Sequence, residues 1–275
     1  MNPLRHYPIL SSLLRPFRLS QQKTCAALVA ALCQAAQASS FAIAGQLSSL
    51  TEVQLGSALT RLYRFLRNER FDNWLLTQRM PHLLAQPNKS LLLALDWTAW
   101  QDRFSVLTAS VCVDTRSIPV AVSACVKRQL ARSQNLWEET FLRLVVDRLR
   151  ASHVQAIWLC DRGFHRVKWL ERLMELEQQF VVRLHRDVTV HLRERACLLK
   201  SLEIREGERR DLGFVHLRAD KLVRVRVIAV WAKGAKEVWW LATNLDNRVS
   251  KVVSYYDRRM VIEEQFREVM LQRLF

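Results

Sequence analysis

A mixed α/β fold is what the sequence predicts, on three observations. Helical periodicity fills residues 1–85. After the turn-forming stretch Gln86-Pro87-Asn88-Lys89-Ser90, short apolar runs rich in β-formers replace it. Those runs then alternate with two segments of helical period, the pattern of a sheet covered by helices. The expected organisation is a helical region over 1–85, a core that begins over 86–186, a β-rich insertion over 187–248 and a last helix of the core over 249–275.

Taken in order, Thr24–Ser40 is Ala-rich and reads as an amphipathic helix. A signal peptide is the rival reading, but the apolar stretch starts late, basic residues are spread along 1–23, and Gln34 and Gln37 interrupt it. Arg61–Leu76 also reads as helix, with Leu62, Phe65, Leu66, Trp74 and Leu75 as its apolar residues. Arg61, Arg64, Arg67 and Arg70 recur every three positions and form a basic ridge, either a solvated face or one laid on phosphates. Leu91–Thr98 is a buried strand, and Phe104–Val113 and Ser117–Val126 follow it across short turns. Trp137–Arg150 is a helix with Phe141, Leu144, Val145 and Leu149 on one face. Val154–Cys160 is a strand, His165–Glu177 a helix and Phe180–Leu184 a strand. The order β-β-β-α-β-α-β is that of a ribonuclease-H-like sheet. Val188–Leu192, Leu202–Ile204, Phe214–Leu217, Leu222–Trp231 and Glu237–Thr243 supply the strands of the insertion, and from Val249 a helix runs to the end.

Lys and Arg number 42 against 26 Asp and Glu, a net charge of +16. Such an excess predicts a polyanionic partner, nucleic acid before an anionic membrane surface. Half of the residues are apolar, which excludes wholesale disorder. No stretch reaches the roughly 18 apolar residues of a membrane span. The six cysteines form no C-x2-C pair and read as buried thiols of a reducing cytosol rather than as a zinc site.

Two strands end in an acid, Asp96 and Asp161. An ionised carboxylate closing an apolar run needs a partner, a metal or exposure. Taken singly, each reads most simply as a turn aspartate. Neighbouring strands of a ribonuclease-H-like sheet would bring the two together, where carboxylate oxygens suit Mg2+ or Mn2+. In the last helix, Tyr256, Arg259, Glu263 and Met270 fall on one face. Asp102 and Asp114, as turn residues, and Glu264, as off that face, are set aside, and Glu138 is likewise not ranked as a ligand. His153, His165 and His185 show no ligand spacing. Trp239 and Trp240 are candidates for core packing or, for one of them, for stacking on an unpaired base.

Tyr256-x2-Arg259-x3-Glu263 resembles the third-acid motif of bacterial DDE-type insertion-sequence transposases, in the branch with the signature Tyr-x2-Arg-x3-Glu-x6-Lys. Ile262-Glu263-x2-Phe266-Arg267 fits the same branch. Leu95-Asp96-Trp97-Thr98 is similar to its first-acid strand and Cys160-Asp161-Arg162-Gly163-Phe164 to its second. Tyr63-Arg64-Phe65-Leu66-Arg67-Asn68 is like its N-terminal helical region. The family's Lys position is Met270 here, and the sequence ends twelve residues after Glu263.

The resemblance implies a transposase that cleaves transposon ends and joins them to target DNA. Asp96, Asp161 and Glu263 would be catalytic, binding two Mg2+ or Mn2+ ions. Tyr256, Arg259, Arg267, Arg64, Arg67, Arg162 and Trp239 would contact DNA. The partners would be double-stranded DNA and a second copy of the chain, with no membrane, in the bacterial cytoplasm at the nucleoid. Two other readings stay open. One is a catalytically inactive DNA-binding derivative acting as an inhibitor, suggested by Met270 and the short C-terminus. The other is a ribonuclease-H-like nuclease that cuts without joining.

Overall fold

The computed structural model describes residues 8–37, 39–87, 89–100, 102–130, 133–192, 195–217 and 223–271. Its contacts divide the chain into two compact units. One runs to Leu83 and includes the chain from Glu268 on; the other is Leu84–Arg267.

The first unit is helical: α1 (Pro8–Leu14), α2 (Leu19–Gln34), α3 (Ser40–Thr51), α4 (Leu55–Leu66) and α5 (Asn73–Leu84). The Ala-rich segment is therefore helix, beginning at Leu19 and stopping at Gln34. Its small side chains allow close approach, so Ala27, Leu28 and Ala31 pack with Ala44, Leu47, Ala58 and Leu62 of the next two helices. Ser39 caps α3 by accepting from the Ala42 N–H at 3.1 Å.

The predicted continuous helix over Arg61–Leu76 is two helices. Asn68 breaks it: its side-chain oxygen accepts the Arg70 N–H and its carbonyl accepts the Phe71 N–H. The turn folds Phe71 back onto Phe17 and Phe65, with ring centres 4.4 and 4.6 Å apart. That packing outweighs helical propensity across the segment. Leu66 is left exposed, and the Trp74 side chain lies outside the described residues.

The second unit is built on one ten-stranded sheet. Its strands are β1 (Leu91–Trp100), β2 (Phe104–Val113), β3 (Arg116–Val126), β4 (Ala156–Cys160), β5 (Gln179–Leu184), β6 (Thr189–Leu192), β7 (Arg195–Leu198), β8 (Arg209–Leu217), β9 (Val223–Val230) and β10 (Trp239–Thr243). The spatial order is β3-β2-β1-β4-β5-β10-β9-β8-β6-β7. β1, β4 and β5 are parallel neighbours and every other pair is antiparallel. Pro119 is tolerated because β3 is an edge strand. Short α6 (Lys127–Leu130) and long α7 (Gln134–Ala151) lead from β3 to β4, and α8 (Val167–Glu175) joins β4 to β5. The three-strand meander followed by two parallel strands is the ribonuclease-H-like order that the sequence predicts. The strands of 187–248 continue the same sheet.

Several local expectations fail. Leu202–Ile204 is not a strand, because the Leu202 N–H bonds to Leu199 in a tight turn. β7 is a strand the sequence did not signal; at the sheet edge, Arg195 and Ala196 stay exposed, so no apolar alternation is required. On α7 the covered residues are Glu138, Phe141, Leu142, Val145, Val146 and Leu149, while Leu144 is exposed. Cys33 is exposed too, unlike buried Cys25, Cys112, Cys125 and Cys160.

The last helix is also two: α9 (Val249–Asp257) and α10 (Met260–Leu271). Three-residue hydrogen bonds carry the break, from Arg259 N–H to Tyr256 and from Ile262 N–H to Arg259. Val252, Tyr256 and Ile262 all enter the core on either side of it, with Ala94, Leu159, Val181 and Leu241 of the sheet beneath. One face of the sheet is thus covered by α9 and α10.

Candidate active site

β1 carries the first acid, though not at its end. The parallel pairing of β1 with β4 stops at Leu95 and Cys160, while β1 runs on to Trp100 paired with β2 alone. Asp96 is the next residue along β1 and Asp161 the first residue after β4, so both leave the ladder at the same level. This is the crevice that opens where parallel strands finish. Asp96 alternates with buried Ala94 and so faces α9 and α10. Its Oδ1 accepts the Trp97 N–H at 2.8 Å. Asp161 Oδ1 accepts the Gly163 N–H at 2.9 Å, and a turn of 3-10 helix follows over Arg162–Phe164. A methyl group on Gly163 would approach that carboxylate oxygen to 3.0 Å, so glycine permits this tight loop.

Arg259 ties the third acid in. Its Nη1 donates to Asp96 Oδ2 at 3.2 Å, and its Nη2 donates to Glu263 Oε1. Only 5 % of its side chain is exposed, against 15 % for Asp96 and 39 % for Glu263. The guanidinium therefore stands between the two carboxylates. Its Nε is buried without an acceptor among the described residues. Burial raises Asp96 from an ordinary 3.8 to about 6, with the charges of Asp161 and Glu263 adding to the rise. Arg259 and the Trp97 N–H oppose it and do not win.

A second layer surrounds these groups. Arg259 lies 5.7 Å from the ring centre of Tyr256, whose edge meets Trp239 at 5.2 Å. Tyr256 is buried, which pushes its hydroxyl up to about 12, so it is a neutral phenol at physiological pH. Trp239 is half-buried and has Arg183 over its other side, 5.8 Å from the ring centre. Trp240 points the opposite way and is buried, as strand alternation requires. Glu237 accepts from Arg183 at 2.7 Å and from Arg162 at 3.3 Å. These three residues line a small pocket with His185 and Arg186. Arg183, His185 and Arg186 were not among the sequence candidates; an Arg inside the apolar run of β5 was the available signal.

Arg267 is exposed on α10, one turn beyond Glu263. Glu264 is exposed and off the site, and Asp102 and Asp114 occupy turns with left-handed backbone. The Met270 side chain lies outside the described residues. In the first unit, Arg64 sits in the last turn of α4 and Arg67 closes that helix. The expected straight ridge ends there with the helix, yet Arg61, Arg64, Arg67 and Arg70 line one open groove with Gln21 and Thr24.

The donor set at the acids consists of carboxylate oxygens, the hard ligands that Mg2+ and Mn2+ take. Among the described residues, no three His, Cys, Asp or Glu side chains are grouped closely enough to hold one ion. Glu263 is turned onto Arg259 instead. The electrostatics nevertheless suit a cation: burial is what chiefly raises Asp96, the charges of Asp161 and Glu263 add to it, and a cation between the acids would offset that repulsion. Thiol chemistry has no support here: burial pushes the neighbouring Cys112 up to about 11 and raises Cys160 as well. No helix among the described residues is long and apolar enough to cross a membrane.

No curated protein matches the chain. The family described as the transposase DDE domain matches residues 87–272, which takes in all three acids and about two thirds of the sequence. With a ribonuclease-H-like sheet bringing two aspartates to the ends of neighbouring strands, and Glu263 joined to the first through Arg259, the chain belongs to the DDE-domain transposase family.

Proposed function

We propose that this transposase cleaves the ends of its element and transfers them into target DNA with divalent metal ions. Asp96, Asp161 and Glu263 are the residues that would hold Mg2+ or Mn2+, two ions in all. When bound, those ions supply an activated water or 3′-hydroxyl and stabilise the leaving oxygen. In cleavage, the water oxygen bonds to phosphorus and the P–O3′ bond breaks, freeing a 3′-hydroxyl. In transfer, that hydroxyl oxygen bonds to a target phosphorus and displaces another 3′ oxygen. Neither step needs an oxidant or a covalent protein intermediate.

The observation that carries the reading is the shared arginine. Arg259 donates to both Asp96 and Glu263, so two acids from distant parts of the chain, 163 and 4 positions from Arg259, act on one group. A phosphate is the natural competitor for those N–H groups, because a guanidinium grips two oxygens of either anion equally well. Arg259 is thus both the neutraliser of the acids before DNA arrives and a donor to the phosphate afterwards. The Tyr256 ring backs it, and Trp239, half-buried against Tyr256, is the better placed of the two tryptophans to stack on an unpaired base. Arg162 and Arg267 flank the site as phosphate contacts, and Arg64 and Arg67 grip duplex DNA from the groove of the first unit. A homodimer on DNA follows from the need to bring two ends together.

The test is nicking of a plasmid that carries the DNA flanking the coding sequence, in Mg2+ and in Mn2+. Nicks at both flanks, lost in Asp96→Asn while DNA binding persists, support the reading. Tight binding without nicking in either metal would leave the inactive DNA-binding derivative.

A further inference from the structure

Behind the acids, on the opposite face of the sheet, one carboxylate is held in the core. Glu138 of α7 is fully buried. A buried carboxylate persists only where donors replace water. Glu138 has three of them, from three places in the chain. Its Oε1 accepts the Trp97 indole N–H at 2.8 Å and the Gln134 side-chain amide at 2.8 Å. Its Oε2 accepts from Arg166 Nη2.

Two of those donors belong to the segments that carry the aspartates. Trp97 follows Asp96, and strand alternation sends the two side chains to opposite faces. Holding the indole fixes the rotation of β1 at Asp96 from behind. Arg166 is the residue before α8 and closes the loop that starts at Asp161. Within that loop, Asp161 accepts from Gly163, and the Arg162 carbonyl meets His165 Nδ1 at 2.6 Å. Beyond Leu95 and Cys160 the two strands share no ladder bonds. Glu138 bridges them where the ladder no longer does.

We propose that Glu138 is a positioning residue, setting the spacing of Asp96 and Asp161 by clamping Trp97 and Arg166 to α7. The proposal rests on the two aspartates being metal ligands. Gln in place of Glu138 still accepts from Trp97 and Gln134 but turns an amide N–H toward Arg166, so one arm of the clamp breaks. Trp97→Phe keeps the ring and removes the other arm.

The experiment measures Mn2+ binding by the full-length protein, reading free Mn2+ by electron paramagnetic resonance, with folding followed by circular dichroism. Glu138→Gln and Trp97→Phe, each of which breaks one arm of the clamp, are each expected to weaken Mn2+ binding about tenfold, the lower end of the loss typical of second-layer groups at metal sites. DNA binding in EDTA should stay within about twofold of the parent for both, since a positioning residue acts through the metal ligands rather than on DNA. A purely structural clamp would lower the melting temperature and leave the Mn2+ affinity of the folded protein unchanged, and that result overturns the proposal. Should Glu138→Gln not fold, Trp97→Phe decides, with parent-like Mn2+ affinity again the overturning result. A parent that binds no Mn2+ overturns the metal-dependent reading, and this proposal with it; a parent that binds while both variants match it overturns this proposal alone.

Discussion

Two buried arginines of the second unit grip carboxylates, one from the sheet and one from the break between α9 and α10, and they differ in what they leave unsatisfied. Arg226 of β9 holds Asp211 through Nε and Nη2 and donates from Nη1 to the carbonyls of Leu245 and Asn247. The hydrogen bonds from Arg226 hold Asp211 below the usual carboxylate range. Arg259 spreads its two arms over Asp96 and Glu263, keeps an Nε with no acceptor among the described residues, and leaves Asp96 raised to about 6. The first arrangement is complete and stabilises the chain ahead of α9. The second is incomplete, with more negative charge than one guanidinium offsets. Carboxylates that sit uncomfortably in a cleft mark functional sites more often than comfortable ones do. The largest contrast should therefore appear in catalysis. On the proposed metal-dependent reading, Asp96→Asn would remove a metal ligand, so plasmid nicking is expected to fall by about 10³-fold or more. Asp211→Asn should keep nicking within about threefold of the parent under conditions where it is folded.

Stability should rank the same two sites in reverse. Arg226→Met orphans two carbonyls and a partly buried carboxylate, a loss of about 3 kcal/mol. Arg259→Met removes an unsatisfied Nε along with the ion pairs, and Asp96 can take up a proton in reply, so about 1 kcal/mol is expected. Urea unfolding of both variants without divalent ions tests this. Equal losses would mean that the acid site is an ordinary structural salt bridge.

The contrast between these arginines was only partly legible in the sequence. The strand order was readable because β1, β2, β4 and β5 are mostly apolar runs, two of ten residues and two of five and six, set between segments of other character. The acids at 96 and 161 were readable as charges at the ends of such runs. Arg226 was not, because Val223–Val230 alternates Val and Arg and looks like a half-exposed strand; Asp211, which pairs with it, lies 15 residues away. The role of Glu138 is hidden in the same way, since its partners include Trp97 and Arg166, 41 and 28 positions away. The helix break at Arg258-Arg259 had no local signal either, as neither Pro nor Gly is present. It is set by tertiary packing, with Tyr256 and Ile262 both drawn into the core. Pairings between distant segments are what a single sequence hides.

The raised Asp96 gives the comparison a pH signature. Its folded value near 6 lies above its ordinary 3.8, so its contribution to stability is fully present below about 4 and is lost as pH rises through 6. In metal-free protein, Asp96→Asn, which carries no charge at any pH, should be more stable than the parent at pH 8 by about 3 kcal/mol. The advantage should shrink through pH 6 and vanish near pH 4. Asp211, held low by Arg226, should behave oppositely: Asp211→Asn is less stable than the parent at pH 8, and the deficit closes in acid as Asp211 protonates. Parallel pH profiles for the two variants would break the distinction between a strained and a satisfied carboxylate.

A third set of arginines sharpens the comparison from the side of DNA. Arg61, Arg64, Arg67 and Arg70 line an open groove in the first unit, where water screens them and no carboxylate is among the lining residues except Glu69. Cations in such a place contribute through release of counterions from DNA rather than through fixed geometry. Each phosphate contact removed should lower the slope of log affinity against log salt by about 1, with little change in sequence preference. Arg64→Ala with Arg67→Ala is therefore expected to reduce that slope by about 2 and to weaken binding to any duplex alike. Arg259, buried and already partnered, should leave the slope of metal-free binding almost unchanged when replaced by Met. Fluorescence anisotropy at several salt concentrations in EDTA measures both. A full unit of slope lost in Arg259→Met would place that arginine on DNA before the acids are engaged, and the competition between carboxylate and phosphate for its N–H groups would then run in DNA's favour from the start.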